Sequence, residues 1–169
     1  LVGVNAPGLE TTWCWDAATR EWHELGELVS GAWTPLRIDQ VASFGGRHYG
    51  IAGTKLYRMD AAVATIGGDP MTFERTWPHL MSPAYEPVSF HELRMQCTTG
   101  GEVAGNITLE CSNDGGYVFG PPLLRTLGAV GRRMAPVRWN FLGAALDRVF
   151  RVRTTGVRVN IHGANLDAA

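Results

Sequence analysis

Apolar and polar residues alternate over most of the first 60 positions of the chain, with breaks at Gly, Asn and Asp. A period of two residues is the pattern of a half-buried β-strand, and breaks of this kind are typical of hairpin turns. The pattern predicts one hairpin with strands over 13–16 and 21–25. It predicts a second group of strands over 41–44, 48–52 and 55–60.

The two groups of strands resemble each other. Asp60 falls 44 residues after Asp16, and each Asp closes a strand that carries aromatic residues. A period in the mid-forties is expected for a β-propeller blade, so we interpret residues 1–60 as a partial β-propeller-like hairpin region with fewer than two blades. The other blades of the about four to eight in a propeller would lie upstream of Leu1, and the start at Leu rather than Met predicts a fragment or a processed product. Two ordinary hairpins in one sheet are the alternative.

Between 61 and 87 the alternation weakens and Gly and Pro become frequent. Proline fixes φ and removes a hydrogen-bond donor, which favours an extended connection. We therefore predict a linker over 61–87, with one strand around 73–77.

A second β-domain is predicted over 88–169. The alternation places Leu93, Met95 and Cys97 on one face of a strand, and a strand over 106–111 has the same pattern. Further strands are expected over 136–141, 148–154 and 157–162, with a turn over 142–145. Regular strand spacing with Gly turns favours an immunoglobulin-like β-sandwich. The predicted fold class is thus all-β, a partial propeller-like region followed by this sandwich.

The three cysteines lack the C-x-x-C spacing of a zinc site and the density of a disulfide scaffold. If the chain turns near Ala104, Cys97 lies opposite Cys111, which would allow a cross-strand pair. We favour two small buried thiols in a core over a disulfide.

Charge is unevenly distributed along the chain. Fifteen basic and sixteen acidic side chains give a net charge of −1, which argues against general affinity for nucleic acid or anionic membrane. From 121 to the end, eight Arg face two Asp, giving +6, so the first 120 residues carry −7. Two solvated faces of opposite bias explain this, and so does an assembly in which the basic end of one subunit meets an acidic surface. The sequence has no stretch of about 18 apolar residues, the length that a membrane-spanning helix needs.

The sequence contains no motif of catalysis, and we predict no catalytic, cofactor-binding or metal-binding residues. The five histidines lack ligand spacing. A nucleophile elbow, a phosphate-binding loop and a dinucleotide fingerprint are all absent from the sequence. The carboxylates are spread singly, without the close pair that glycosidases use.

One local motif resembles the Asp-box, a hairpin turn of the form S-x-D-x-G-x-x-[WF]. An Asp carboxylate can accept backbone N–H groups of its own turn, Gly supplies positions of positive φ, and the aromatic ring packs beneath. We predict a structural turn, not glycosidase activity, from these residues: Ser112, Asp114, Gly115, Gly116 and Phe119.

The C-terminal half resembles the tail hub family of short-tailed bacteriophages, the packaged-DNA stabilisation or nozzle proteins. The segments that carry the resemblance are S-N-D-G-G-Y-V-F at 112–119, L-L-R-T-L-G-A-V-G-R-R at 123–133, P-V-R-W-N-F-L-G at 136–143, D-R-V-F-R-V-R at 147–153 and N-I-H-G-A-N-L-D at 160–167. The resemblance implies a propeller-like body joined to a β-sandwich. It also implies a hexameric ring beneath the portal and adaptor proteins that holds packaged DNA without sequence-specific binding and supports fibres, spikes or a needle. The protein would assemble in the host cytoplasm and reside in the virion, without a membrane partner or a cofactor.

Arg138, Arg151 and Arg153 match the family pattern. One hypothesis is that they form ion pairs between subunits or face the DNA channel, and the alternative is a solvated strand face.

Two other functions compete with the tail hub. The six Trp, the hairpins and the Asp-box would suit a carbohydrate-binding or glycosidase-associated module, which requires exposed, coplanar Trp in a cleft. A protein-binding adhesion domain is the third candidate.

Overall fold

A computed structural model of the chain describes residues 2–5, 11–60, 62–98, 104–131 and 133–169. The strands are β1 (Val2–Asn5), β2 (Thr12–Asp16), β3 (Glu21–Val29), β4 (Ala32–Pro35), β5 (Gln40–Phe44), β6 (Arg47–Ala52), β7 (Lys55–Met59), β8 (Thr65–Ile66), β9 (Asp69–Pro70), β10 (Thr72–Thr76), β11 (Leu80–Met81), β12 (Val88–Thr98), β13 (Asn106–Ser112), β14 (Leu123–Thr126), β15 (Met134–Ala145), β16 (Asp147–Thr155) and β17 (Ile161–Ala168). Within these ranges the chain forms strands and no helix, which confirms the all-β prediction. No helix capable of crossing a membrane occurs among the described residues.

The chain divides into two compact units, Leu1–Met71 and Thr72–Ala169. The described residues of the first unit form three separate antiparallel sheets. β1 to β4 form one sheet in sequence order, β5 to β7 form a second, and β8 pairs with β9.

Asp16 and Asp60, which lie 44 residues apart, each accept a backbone N–H through the side chain. The Ala18 N–H donates to Asp16 Oδ1 at 2.8 Å, and the Ala62 N–H donates to Asp60 Oδ1 at 3.0 Å. Each carboxylate therefore accepts the backbone N–H of the residue two positions later, a bond with which Asp commonly initiates a turn. The likeness is limited to the side-chain bond, because the Asp16 carbonyl accepts the N–H of Arg20 whereas the Asp60 carbonyl accepts the N–H of Val63.

The second unit is a β-sandwich of two sheets. Sheet I has the order β10-β16-β13-β14, with β11 also paired to β16, and sheet II has the order β15-β12-β17. All of these pairings are antiparallel.

With the two-residue β11 left out of the count, two strand pairings of the sandwich are those of an immunoglobulin domain. The fourth strand, β14, pairs with β13 rather than with the fifth strand, and the terminal strands are exchanged. In an immunoglobulin domain the second strand pairs with the fifth and the third with the sixth, as β12 pairs with β15 and β13 with β16 here. However, the first strand of this unit, β10, lies beside β16, where the last immunoglobulin strand lies. The last strand, β17, lies beside β12 in the place of the first.

The core lies between the two sheets, on the faces that alternation predicts. Leu93, Met95 and Cys97 of sheet II are buried, and so are Ile107 and Leu109 of sheet I. The burial of these side chains is the main favourable term in folding.

Trp139 of β15 joins the two sheets along one side of the sandwich. Its side chain has no exposed surface, and its Nε1–H donates to the Leu123 carbonyl of β14 at 2.8 Å. The Arg125 Nε–H of β14 donates to the Arg138 carbonyl of β15 at 2.9 Å. These two bonds close the β14 and β15 side of the sandwich.

The structure differs from the expected linker over 61–87. The strands β10 and β11 fall within this range and pair with β16, so they are part of the sandwich. Proline is compatible with this because Pro70, Pro78, Pro83 and Pro87 all lie outside β10 and β11.

Three local predictions in the second unit were wrong. Residues 142–145 belong to β15 rather than to a turn, the last strand runs over Ile161–Ala168 rather than 157–162, and Cys97 does not face Cys111 across a hairpin. β12 and β13 lie in different sheets, because each pairs with a strand far away in sequence. Both thiols are free.

Candidate functional site

The Asp-box-like turn follows β13 and is held by its own side chains. The Ser112 hydroxyl donates to Asp114 Oδ1 at 2.6 Å and accepts the Gly116 N–H at 2.9 Å. Asp114 Oδ1 also accepts the Val118 N–H at 2.9 Å. The Ser112 hydroxyl, followed by the Val118 N–H, lowers the pKa of the Asp114 carboxyl below its usual value. Gly115 and Gly116 have φ of +76° and +91°, values that an L side chain rarely adopts.

The turn packs against β16. The Phe119 ring lies under the Arg151 guanidinium, with 3.5 Å between the central carbon of the guanidinium and the ring centroid. A contact at this distance is a cation–π interaction. Gly115 lies beside His79 and Asp147, whose side chains bond at 2.9 Å. The motif thus packs against β16 through Phe119 and Gly115.

Arg151 and Arg153 form an ion-pair ladder on the outer face of sheet I. Arg151 Nε lies 2.7 Å from Glu110 Oε2, and Arg153 Nε lies 2.5 Å from Glu74 Oε2. A third contact of 3.4 Å joins Arg153 Nη1 to Glu110 Oε2. The exposed fractions of the four side chains are between 11% and 23%. Two acids therefore neutralise two bases within the chain, and this strand face is not the solvated arginine face that the alternation suggests.

Arg138 has a different environment on the outer face of sheet II. It is exposed and lies directly opposite Arg94 in the β12–β15 register. Arg94 bonds to Glu92 at 2.8 Å, whereas no carboxylate lies within ion-pair distance of Arg138 in the described part of the chain. Like charges directly opposite each other on a sheet are destabilising. Of the three predicted arginines, Arg138 is thus the one that retains an uncompensated charge.

Arg148 was not singled out by the sequence, yet it is the buried cation of the motif D-R-V-F-R. Its guanidinium lies 4.9 Å from the Phe90 centroid and 5.5 Å from the Phe150 centroid. Its Nη1–H donates to the Leu142 carbonyl at 2.7 Å, while Nε has no hydrogen-bond partner in the described part of the chain. Burial raises the pKa of the Cys111 thiol, and the nearby Arg148 opposes that shift. The side chain joins both sheets at the Asp-box side of the core.

The described residues contain histidine pairs but no catalytic triad. Ser43 Oγ lies 2.7 Å from His48 Nδ1, and Thr98 Oγ1 lies 2.6 Å from His162 Nε2. Neither imidazole is hydrogen-bonded to a carboxylate in these ranges, which is the contact that orients the base of a triad. No group of three or more His, Cys, Asp or Glu side chains among the described residues could hold a metal ion.

The aromatic residues do not form a flat sugar-binding platform in the described ranges. Trp15 and Trp22 have centroids 5.3 Å apart with planes at 53°, so the rings are tilted rather than coplanar. Between the edges of β10 and β17 there is a groove of about 550 Å³, whose lining includes Phe73, Trp77 and Ile161. A single half-buried Trp in this groove is not a stacking surface of coplanar rings.

Comparison with known families decides the identity of the second unit. Residues 73–169, more than half of the chain, match the family described as Bacteriophage P22 Gp10, beta-sandwich. The chain belongs to this family. Its members are structural phage tail proteins, so the chain is a structural component of a phage virion. The resemblance to the tail hub family is thereby confirmed for the C-terminal part, and the β-sandwich with it. No curated protein matches the chain.

Proposed function

We propose that the chain is part of the tail hub, or nozzle, of a short-tailed bacteriophage. In this proposal the subunits form a hexameric ring below the portal and adaptor proteins, retain the packaged DNA and support the attachment of fibres, spikes or a needle. The observation that carries the proposal is the family match over residues 73–169. The ring would assemble in the host cytoplasm and leave the cell as part of the virion.

The first unit supports a propeller-like body. Its sheets follow one another along the chain as antiparallel meanders, and the Asp16 and Asp60 side chains, 44 residues apart, each accept the N–H of the residue two positions on. Exposed apolar side chains such as Phe44 and Leu56 are what a blade offers to its neighbours. We therefore propose that these sheets are blades of a propeller.

The arginines divide between the two roles that the sequence left open. Arg151 and Arg153 have acidic partners within the chain, so we assign them to the stability of the sandwich. Arg138 has none in the described ranges, and we propose that it faces an anionic group of a neighbouring subunit or of DNA. Charge reversal at Arg151 or Arg153 would disturb the fold itself, so assembly is better tested at Arg138.

Immunogold electron microscopy tests the proposed location. An antibody against the chain, applied to particles of the phage that carries its gene, should label the tail at the vertex below the capsid. Averaged images of labelled tails should show sixfold symmetry at the labelled level. Labelling of the capsid shell or of distal fibres would contradict a hub.

A further inference from the structure

The exposed apolar side chains of the second unit fall into two groups. The first group surrounds the Asp-box turn, at one end of the sandwich, and consists of Met81, Tyr85, Tyr117, Val118, Phe141 and Leu146. The second group lies along β14, the segment that follows it and the start of β15, and consists of Leu123, Leu124, Val130 and Met134. We call the first group the Asp-box end and the second the β14 patch. Together they hold all the large exposed hydrophobic side chains of the described residues of this unit.

The strand register places Met81, Tyr85 and Leu146 at one end, and it places Phe141 opposite His91, the fourth residue of β12 from that end. Met81 pairs with Asp147, and Val88 pairs with Ala145, so the segment over 82–87 and the turn at Leu146 adjoin each other. The Asp-box turn reaches the same end because Gly115 lies beside Asp147.

Two of the aromatic residues are held in a strained backbone. Tyr85 has φ of +56° with 80% of its surface exposed, and Phe141 has φ of +60° with 95% exposed. Positive φ in a bulky residue is uncommon and costs stability. Phe141 sits in a bulge, where it and Leu142 oppose His91 alone, and a bulge re-aims a side chain. Strain of this kind, used to expose an aromatic ring, is typical of functional positions.

The two groups carry opposite charge. The segments over 82–87, 113–118 and 141–147 contain Glu86, Asp114 and Asp147 and no Lys or Arg. The β14 patch has Arg125, Arg133 and Arg138 beside it and no acid between 115 and 146. Aromatic anchors with an acidic rim are complementary to an aliphatic surface with a basic rim.

We propose that the Asp-box end of one chain binds the β14 patch of a second copy, with Tyr117 and Phe141 as the aromatic anchors. Because the two surfaces lie at different places on the same unit, the contact is heterologous, and repetition closes a ring if the rotation allows it. The proposal rests on the ring that we propose as the function, and it names the surfaces that form it.

Two variants of the whole chain test the contact by sedimentation velocity. Tyr117→Ser with Phe141→Gly removes the anchors, and Arg133→Glu with Met134→Ser disrupts the basic patch. We expect the unmodified chain to associate and each double variant to associate at least about tenfold more weakly, the loss typical of interface hot spots. Mixed in equal amounts, the two variants should form a one-to-one dimer and nothing larger, because each retains one intact surface.

Folding is checked separately. Glycine accepts positive φ, so Phe141→Gly alone should have a melting temperature no lower than that of the unmodified chain while it weakens association. As a matched control, Lys55→Glu with Val63→Ser changes one basic and one exposed apolar side chain of the first unit and should leave association unchanged.

Several results would overturn the contact. These are a monomeric unmodified chain, association that survives either double variant, or a mixture that stays monomeric. Each leaves the immunogold result on tail location unaffected, so failure of the interface and failure of the proposed function are distinguishable.

Discussion

Trp139 links the two sheets of the sandwich through one buried hydrogen bond, to the Leu123 carbonyl. Substitution of Trp139 by Phe removes the donor, leaves that carbonyl without its partner and opens a cavity. We expect a loss of about 2–4 kcal/mol in the free energy of unfolding, measured by chemical denaturation. The control is Trp33→Phe, at a position with 38% of its surface exposed, where the change should be below about 1 kcal/mol. Equal effects at both positions would contradict a special role for Trp139.

Ser112 is the residue that gives the Asp114 carboxylate its environment. Substitution of Ser112 by Ala removes the largest cause of the lowered pKa, so the pKa of Asp114 should rise toward its ordinary value. Because the folded pKa is lowered, the ionised carboxylate stabilises the turn above the unfolded pKa, and this contribution is lost as the pH falls through the folded value. Carbon-13 NMR titration of the Asp114 carboxyl below pH 5 measures the shift.

Ser82→Ala is the matched control for that titration. Its hydroxyl also accepts an N–H two residues on, from Ala84, but has no carboxylate partner. The pKa of Asp114 should be unchanged in this variant. An unchanged pKa in Ser112→Ala would show that the hydroxyl does not hold the carboxylate.

At the scale of elements, the ladder between β10, β13 and β16 ties the edge of sheet I to its centre. Glu110 contacts both Arg151 and Arg153. The substitution Glu110→Gln would leave these two partly buried arginines with Glu74 as their acidic partner. We expect a loss of about 1–3 kcal/mol in the free energy of unfolding. Glu92→Gln, which breaks the more exposed pair with Arg94, should cost less than about 1 kcal/mol. If the two losses were equal, the ladder would contribute no more than a surface pair.

The period-two alternation predicts the buried faces of β12 and β13 because it is a local property of each strand. It does not predict strand partners, since β12 pairs with β15 and β17, and neither of these adjoins it in the sequence. For the same reason the sequence did not predict the ion pair of Arg153, because its partner Glu74 lies 79 residues earlier. Phe141 escaped notice because its exposure depends on a bulge, and a bulge follows from the register of two strands rather than from one.

The Asp-box turn was accessible from sequence for the opposite reason. All of its hydrogen bonds join residues no more than four apart, so the motif carries its own geometry. Strand spacing already favoured a sandwich, and the family resemblance added the kind of protein to which this sandwich belongs. Arg148, which bonds to β15 and stacks on rings from both sheets, belongs to the family segment D-R-V-F-R-V-R, but nothing in the local pattern distinguished it from the other arginines of that strand.

At the scale of the whole molecule, the unit Thr72–Ala169 has its own core and all the strands of both sheets of the sandwich. A fragment of residues 72–169 should therefore fold alone. We expect a β-type circular dichroism spectrum, dispersed amide NMR signals and a single cooperative unfolding transition.

A fragment of residues 88–169, which begins where the sequence alone placed the domain, is the informative comparison. It lacks β10 and β11, so β16 remains paired with β13 alone and becomes the edge strand of sheet I, and Arg153 loses Glu74. It also lacks Trp77 and Leu80, which pack against the core. An exposed edge beside apolar surface promotes association between chains, so this fragment should unfold at lower denaturant concentration and aggregate more readily than 72–169. Equal stability of the two fragments would mean that residues 72–87 act as the linker that the prolines suggest, whereas the expected difference would place the domain boundary at Met71.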